Sequence, residues 1–92
     1  MTKPDFGTAS LLSEPTNHAV VQLPKRKFPG VVFQGDSLHA LRQELHALCS
    51  IEDPAELRSE AAVLAKGLDD ILSWYVDVVA GQGGSLPFDV TD

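Results

Sequence analysis

The spacing of the apolar residues changes at Gly35, and this change limits the fold more than any other feature of the chain. Before it, the segment His18–Leu23 alternates, so that Ala19, Val21 and Leu23 share one face of an extended strand. After it, apolar residues recur every three or four positions, which is the period of an amphipathic helix. Strands followed by helices in one short chain predict the α+β class.

Three segments in the first third of the chain are predicted strands, separated by turn-forming residues. Thr8–Leu12 is a short edge strand, His18–Leu23 is the second strand and Val31–Gln34 is the third. The pair Pro29-Gly30 fits the centre of a type II turn, because proline presets φ and glycine accepts a positive φ. The prediction is a two- or three-stranded antiparallel sheet.

Two helices are predicted to follow the sheet and to pair in antiparallel. Asp36 is the predicted N-cap of the first helix, and Ser37 its first residue. The apolar face of this helix is a leucine stripe of Leu38, Leu41, Leu45 and Leu48. Asp53 and Pro54 predict the start of the second helix, which runs to about residue 80, with Gly81 as the residue after its end. Its predicted buried stripe contains Leu57, Ala61, Leu64, Leu68, Ile71, Tyr75 and Val78 or Val79.

A chain of 92 residues is predicted to form one domain, 1–92, with loose or irregular ends at 1–7 and 82–92. Leu86–Phe88 is expected to fold back on the core. The single cysteine, Cys49, excludes an intramolecular disulfide and fits a reducing compartment. No apolar run approaches the roughly 20 residues that span a bilayer, and the N-terminus lacks the apolar core of a signal peptide. We therefore expect a cytoplasmic protein without a membrane partner.

The net charge of −6 is unevenly distributed along the chain. Residues 1–36 carry four basic and three acidic side chains, whereas residues 37–92 carry three basic and ten acidic ones. An acidic half repels nucleic-acid phosphates, so nucleic acid is not expected as a partner. A basic protein is the better match, because complementary charge speeds encounter and suppresses wrong pairings. The alternative is that the charge serves solubility alone.

Residues 35–38 read Gly-Asp-Ser-Leu, which resembles the start of the GDSL esterases and lipases, whose serine is the nucleophile. That nucleophile needs a base, which in the family is a histidine late in the chain, shortly after an aspartate. Here no histidine follows His46, and the chain is about half as long as that fold requires. His39, two positions after Ser37 on the same helix, faces away from it. We predict that the chain is not an enzyme.

The sequence predicts no metal site and no cofactor. His39 and His46 lie two helical turns apart, about 10 Å, which is too far for both to ligate one ion. The glycines at 81–84 follow a helix instead of preceding one, so they do not form a phosphate-binding loop.

Two parts of the chain are the candidates for partner contact. Trp74 is the only tryptophan and lies at the edge of an apolar helix face, as interface anchors do, although packing on the sheet also explains it. The loop Lys25–Lys27, next to Phe28, is either a contact for an anionic group or a solvated hairpin tip. The predicted partner-binding residues are Arg26, Phe28, Glu56, Asp70, Trp74 and Asp77.

The run EPTNHAVVQLPKRKFPGVVFQGDSL resembles a family of small uncharacterised bacterial proteins. The shared pattern is Asn-x-Ala-Val-Val-x-Leu-Pro, then Phe-Pro-Gly-Val, then Gln-Gly-Asp-Ser-Leu. The matching blocks are Asn17–Pro24, Phe28–Val31 and Gln34–Leu38, together with Arg26 or Lys27. The resemblance extends over nearly the whole chain and implies a shared fold, but it implies no activity.

The sequence therefore predicts a non-enzymatic, acidic binding protein that acts by protein–protein contact, of the immunity, inhibitor or accessory type. A homodimer formed through the helical face is a related prediction, because a small sheet with two helices leaves one face of the sheet poorly covered. The alternative is a domain that binds a small anionic ligand between the Lys25-Arg26-Lys27 loop and the Gly35-Asp36-Ser37 turn. Asp36 opposes this alternative, because it already places a carboxylate at the helix N-terminus.

Overall fold

The computed structural model describes residues 5–89, and within that range the chain forms three strands followed by two helices. The strands are β1 (Ser10–Leu11), β2 (His18–Gln22) and β3 (Gly30–Phe33), and the helices are α1 (Gly35–Leu48) and α2 (Pro54–Gly81). The predicted α+β class is confirmed. Neither helix is both long enough and apolar enough to cross a membrane, within the part of the chain described.

The three strands form an antiparallel sheet in the order β1-β2-β3, as predicted. β2 pairs with β3 from His18 opposite Phe33 to Val21 opposite Gly30, and its other edge pairs with the short β1. The three central residues of β2, residues 19–21, are all buried, so both faces of this strand are covered. The alternating apolar pattern correctly predicted the strand, although only one covered face was expected.

The hydrophobic core lies where the sheet meets the last turns of α2. Val20, Tyr75 and Val79 form its centre, and Leu86 from the C-terminal segment packs against them. The Tyr75 and Phe88 rings lie 6.4 Å apart, which confirms that this segment folds back. The predicted loose ends fall partly on residues 1–4 and 90–92, which lie outside the described range.

The start of α1 differs from the prediction. Its N-cap is Gln34, in an extended conformation without a side-chain capping bond, and the helix already includes Gly35. Asp36 is therefore a first-turn residue, and its carboxylate accepts a hydrogen bond from the Ser37 N–H at 2.8 Å. The Asp36 carboxylate still stabilises the helix, because a negative charge is attracted to the partial positive charge at the helix N-terminus. Ser37 is the third helical residue instead of the first.

The start of α2 is as predicted, and its end is not. The Asp53 carboxylate accepts from the Glu56 N–H at 3.2 Å, and Pro54 is the first helical residue. The helix ends at Gly81, one residue later than expected, and the residue with the positive φ after its end is Gly83, at 73°, instead of Gly81. The Gly83 and Gly84 N–H groups bond to the Ala80 and Val79 carbonyls, which is the Schellman pattern.

The turn between β2 and β3 is also displaced from its predicted position. Gly30 begins β3 and does not have a positive φ; Lys25 does, at 64°. The Arg26 N–H donates to the Leu23 carbonyl at 3.4 Å, so Pro24 and Lys25 occupy the centre of the turn. Proline there presets φ as it would have at the predicted position, and lysine takes the place that glycine usually occupies.

The two predicted apolar stripes are only partly covered. No residue of α1 is buried, and in α2 only Tyr75 and Val79 are. Within α2, Leu57 and Leu68 are exposed, and in α1 the exposed fractions of Leu38 and Leu45 reach 55% and 49%. The helical period correctly predicted both apolar faces, and the remaining members of each stripe are at least half-buried.

Candidate binding groove

An open groove of about 670 Å³ runs between α1 and the first half of α2. The helices meet at the link 49–53, where Ile51 closes one end, and the edge-to-face rings of His18 and Phe33 close the other. The α1 residues that line it are Ser37, Ala40, Leu41, Glu44, Ala47 and Leu48, and those of α2 are Glu56, Glu60, Val63, Leu64, Gly67, Leu68 and Ile71.

The walls of this groove are mainly apolar and accessible. Val63 is 70% exposed, the largest fraction for an apolar side chain of either helix, and Leu68 is 44% exposed. Leu41 and Leu48 on the opposite wall are half-buried. Contiguous exposed apolar surface on a small protein usually marks an interaction site.

The charge along the groove has one sign. Glu44 from α1 and Glu56 and Glu60 from α2 line it, and none of the lining residues is a lysine or arginine. Carboxylates beside apolar walls favour a ligand that has apolar groups flanked by positive charge.

The sheet end of the groove is fixed by Tyr75. Its hydroxyl donates to the Pro29 carbonyl at 2.7 Å, a bond that joins α2 to the residue just before β3. Burial raises the pKa of the Tyr75 phenol, because the charged form is desolvated there. This bond and the core contacts hold α2 at a set position against the sheet.

A second, shallow depression of about 220 Å³ continues the groove past its sheet end. Thr16, Asp70 and the half-buried Trp74 line it, and His18 and Ile71 border both cavities. Asp70 forms an exposed ion pair with Lys66 one turn earlier, and this carboxylate raises the pKa of Lys66. The Asp70 charge is therefore partly compensated, unlike the three glutamates of the groove.

A family model described as a family of unknown function (DUF6959) matches residues 6–88. The chain belongs to this family. The match spans all five helices and strands and the whole groove, in agreement with the resemblance to an uncharacterised family. No curated protein and no solved structure matches the chain.

The predicted partner-binding residues of this DUF6959 member lie in two separate places. Glu56 lines the groove, and Asp70 and Trp74 line the adjoining depression, whereas Asp77 is exposed outside both. Arg26 and Phe28 belong to the β2–β3 loop, where the Lys27 ammonium lies 5.2 Å from the Phe28 ring centroid. The contact between Lys27 and the Phe28 ring, together with the half-burial of Phe28, indicates a loop that packs on itself.

Ser37 and His18 line the same groove, so the fold brings a hydroxyl and an imidazole to one surface. Within residues 5–89 the Ser37 hydroxyl has no hydrogen bond to a histidine, and the Ser37 backbone N–H donates to the Asp36 carboxylate. The same residues contain no group of three histidine, cysteine or acidic side chains placed to hold a metal ion.

Two groove residues, Glu44 and Glu60, were missed by sequence reasoning. Both lie beside the apolar stripes, and a helix pair that closes completely leaves no groove between its members. The signal that was available is the cluster of Val63 and Gly67 next to Glu56 on one flank of α2. An exposed valine and a mid-helix glycine are unusual on a solvent-exposed helix face, because both residues have low helix propensity.

Proposed function

We propose that this protein is a non-enzymatic binding protein whose acidic, apolar groove receives a basic segment of a partner protein. The observation that carries the proposal is the groove between α1 and α2, with apolar walls and three carboxylates. A role of the immunity, inhibitor or accessory type is the biological form that we propose for this contact, by analogy of size and charge.

The exposed surface of the chain supports a partner of substantial size. Its accessible area is 7336 Å², whereas a compact protein of 9.9 kDa exposes about 5,200 Å². This difference is larger than the area of about 800 Å² that a standard protein–protein interface covers on each partner.

The alternative, a small anionic ligand held between the Lys25–Lys27 loop and the Gly35–Ser37 turn, has less support. The two segments lie at opposite ends of β3, whose four residues extend for about 13 Å. A small anion is shorter than that distance and would contact only one of them. No observation favours this alternative over a protein partner.

The test is co-expression with the tagged product of each adjacent gene, followed by purification and mass measurement. We expect a stable one-to-one complex with a basic protein that forms more slowly at higher salt, because the charges steer its encounter. For the immunity type, the partner alone should also arrest growth, and co-expression should restore it.

Two exposed apolar residues of α2 provide a matched pair of variants. Val63 lines the groove, whereas Leu72, nine positions later, points in the opposite direction and lines neither cavity. Val63→Glu should abolish the complex and Leu72→Glu should leave it intact. Failure of every neighbouring product to bind, or equal effects of both variants, would contradict the proposal.

A further inference from the structure

We infer that the occupant of the groove is a single amphipathic helix of about four turns, with lysine or arginine on both sides of its apolar stripe. This inference rests on the proposed function and adds the conformation of the bound segment. Its starting point is the shape of the site, since two helices and the end of a sheet enclose an elongated groove. An amphipathic helix laid in an apolar groove is a recurrent mode of peptide recognition.

The length of the bound helix follows from the shorter wall. α1 has 14 residues, which corresponds to about 21 Å. Ile51 borders the groove at one end, and His18 and Phe33 border it at the other. A helix of about 14 residues therefore matches the length of this wall.

Gly67 provides an independent observation. It lies in the interior of α2, where glycine is unfavourable relative to alanine, and it lines the groove. A Cβ atom at this position would meet nothing within 4 Å. No neighbour in the described chain therefore requires the missing side chain, whereas a partner backbone that crosses here would.

The α1 wall of the groove also allows a partner backbone to come close. Ala40 and Ala47 of α1 line the groove and are separated by two helical turns. Helix axes come as close as about 8 Å only where the residues at the contact are small. Small residues on both walls therefore admit a helix to the floor of the groove, where an extended strand would leave space unfilled.

Charge selects a basic helix over a second copy of this chain. A two-fold dimer through the groove would bring Glu44, Glu56 and Glu60 of each copy to the same interface, with no lysine or arginine among the lining residues to pair with them. The whole chain also carries −6. A helix flanked by positive charge meets these carboxylates with opposite sign.

The experiment uses the full chain and two synthetic peptides of the same composition. One is a 14-residue leucine–lysine peptide whose leucines repeat every three or four positions, and the other has leucine and lysine in strict alternation. Binding is followed by anisotropy of the labelled peptide, and helix formation by circular dichroism. We expect the helical-period peptide to bind at least tenfold more tightly and to gain helicity on binding.

Two glycines of α2 provide the matched variants. Gly81 also has open space at its Cβ but lies outside the groove. Gly67→Leu should weaken binding at least tenfold, whereas Gly81→Leu should not change it, and thermal melts confirm that both variants fold. Glu60→Lys, which leaves the shape of the site intact, is the second variant and should also weaken binding.

Four results would overturn the inference. Equal affinity of the two peptides, or no binding of either while the natural complex still depends on Val63, would remove the helix and leave the proposed function standing. A dimer in sedimentation equilibrium that Gly67→Leu converts to a monomer would identify a second copy as the occupant. Equal effects of the two glycine variants would place the peptide elsewhere.

Discussion

The hydroxyl of Tyr75 joins the sheet end of the groove to the chain before β3, and its removal tests that anchor. In Tyr75→Phe the Pro29 carbonyl loses a donor at 2.7 Å in a partly buried site. A hydrogen bond of this kind contributes about 1 kcal/mol to the free energy of unfolding. For a domain of this size the loss lowers the melting temperature by about 4–8 °C. The ring and its contacts with Val20 and Val79 remain.

The same substitution has a pH dependence whose sign follows from burial. Burial raises the pKa of the Tyr75 phenol above its ordinary value of about 10. The folded state therefore holds this proton more tightly than the unfolded chain does. Its stabilising contribution is fully present below pH 10 and is lost as the pH rises through the raised pKa of the folded state. Phenylalanine does not titrate, so the advantage of tyrosine should shrink as the pH rises above 10.

Urea unfolding followed by the fluorescence of Trp74, which packs against the core, measures both effects. The difference in free energy between the wild-type protein and Tyr75→Phe is compared at pH 7, 9 and 10.5. Other groups titrate equally in both proteins and cancel in that difference. A difference that is constant across this range, or is absent at pH 7, would refute the assigned roles of burial and of the Pro29 bond.

Three further predictions concern the caps, a strand contact and local stability. Asp53→Ala should lower the free energy of unfolding by about 1 kcal/mol, because it removes the capping bond of α2. Asp36→Ala should lower it by less, because Asp36 is not the N-cap of α1, and the melting temperatures of the two variants measure the difference. Ser13→Ala should cost about 1–3 kcal/mol in urea unfolding, since the Val20 N–H donates to the Ser13 hydroxyl at 2.9 Å and would lose its acceptor. In hydrogen exchange, the amides of α1 should exchange at least tenfold faster than those of β2, because no α1 side chain is buried whereas the centre of β2 is. Equal exchange rates in α1 and β2 would contradict the exposed position of α1.

The order and type of the helices and strands could be predicted because the apolar period is a local property. Alternation over residues 18–23 and the leucine spacing after Gly35 both depend only on neighbouring residues. Asp53-Pro54 likewise marks the start of α2 with two residues whose preferences agree. The cap of α1 was misplaced because Asp36 is a good capping residue by type, whereas the residue with the extended backbone is Gln34, which makes no side-chain capping bond.

Burial could not be predicted in the same way, and the site depends on burial. A period of 3.6 shows which face of a helix is apolar but does not show what covers that face. Leu57 and Leu68 were therefore assigned to a core that the described chain does not build over them. The same difference separates the predicted partner residues that line a cavity, such as Trp74, from Asp77, which lies outside both cavities.

The groove remains open because both of its walls are anchored to the sheet at separate points. α1 continues directly from β3, where the Gln34 N–H donates to the Asn17 carbonyl at 3.1 Å, and α2 is held by Tyr75 and by the bond from Gln82 to the Leu12 carbonyl. The segment of the partner has to be ordered when it binds, and this ordering costs entropy. For this reason a peptide that already favours a helix should bind more tightly than a flexible one of the same composition.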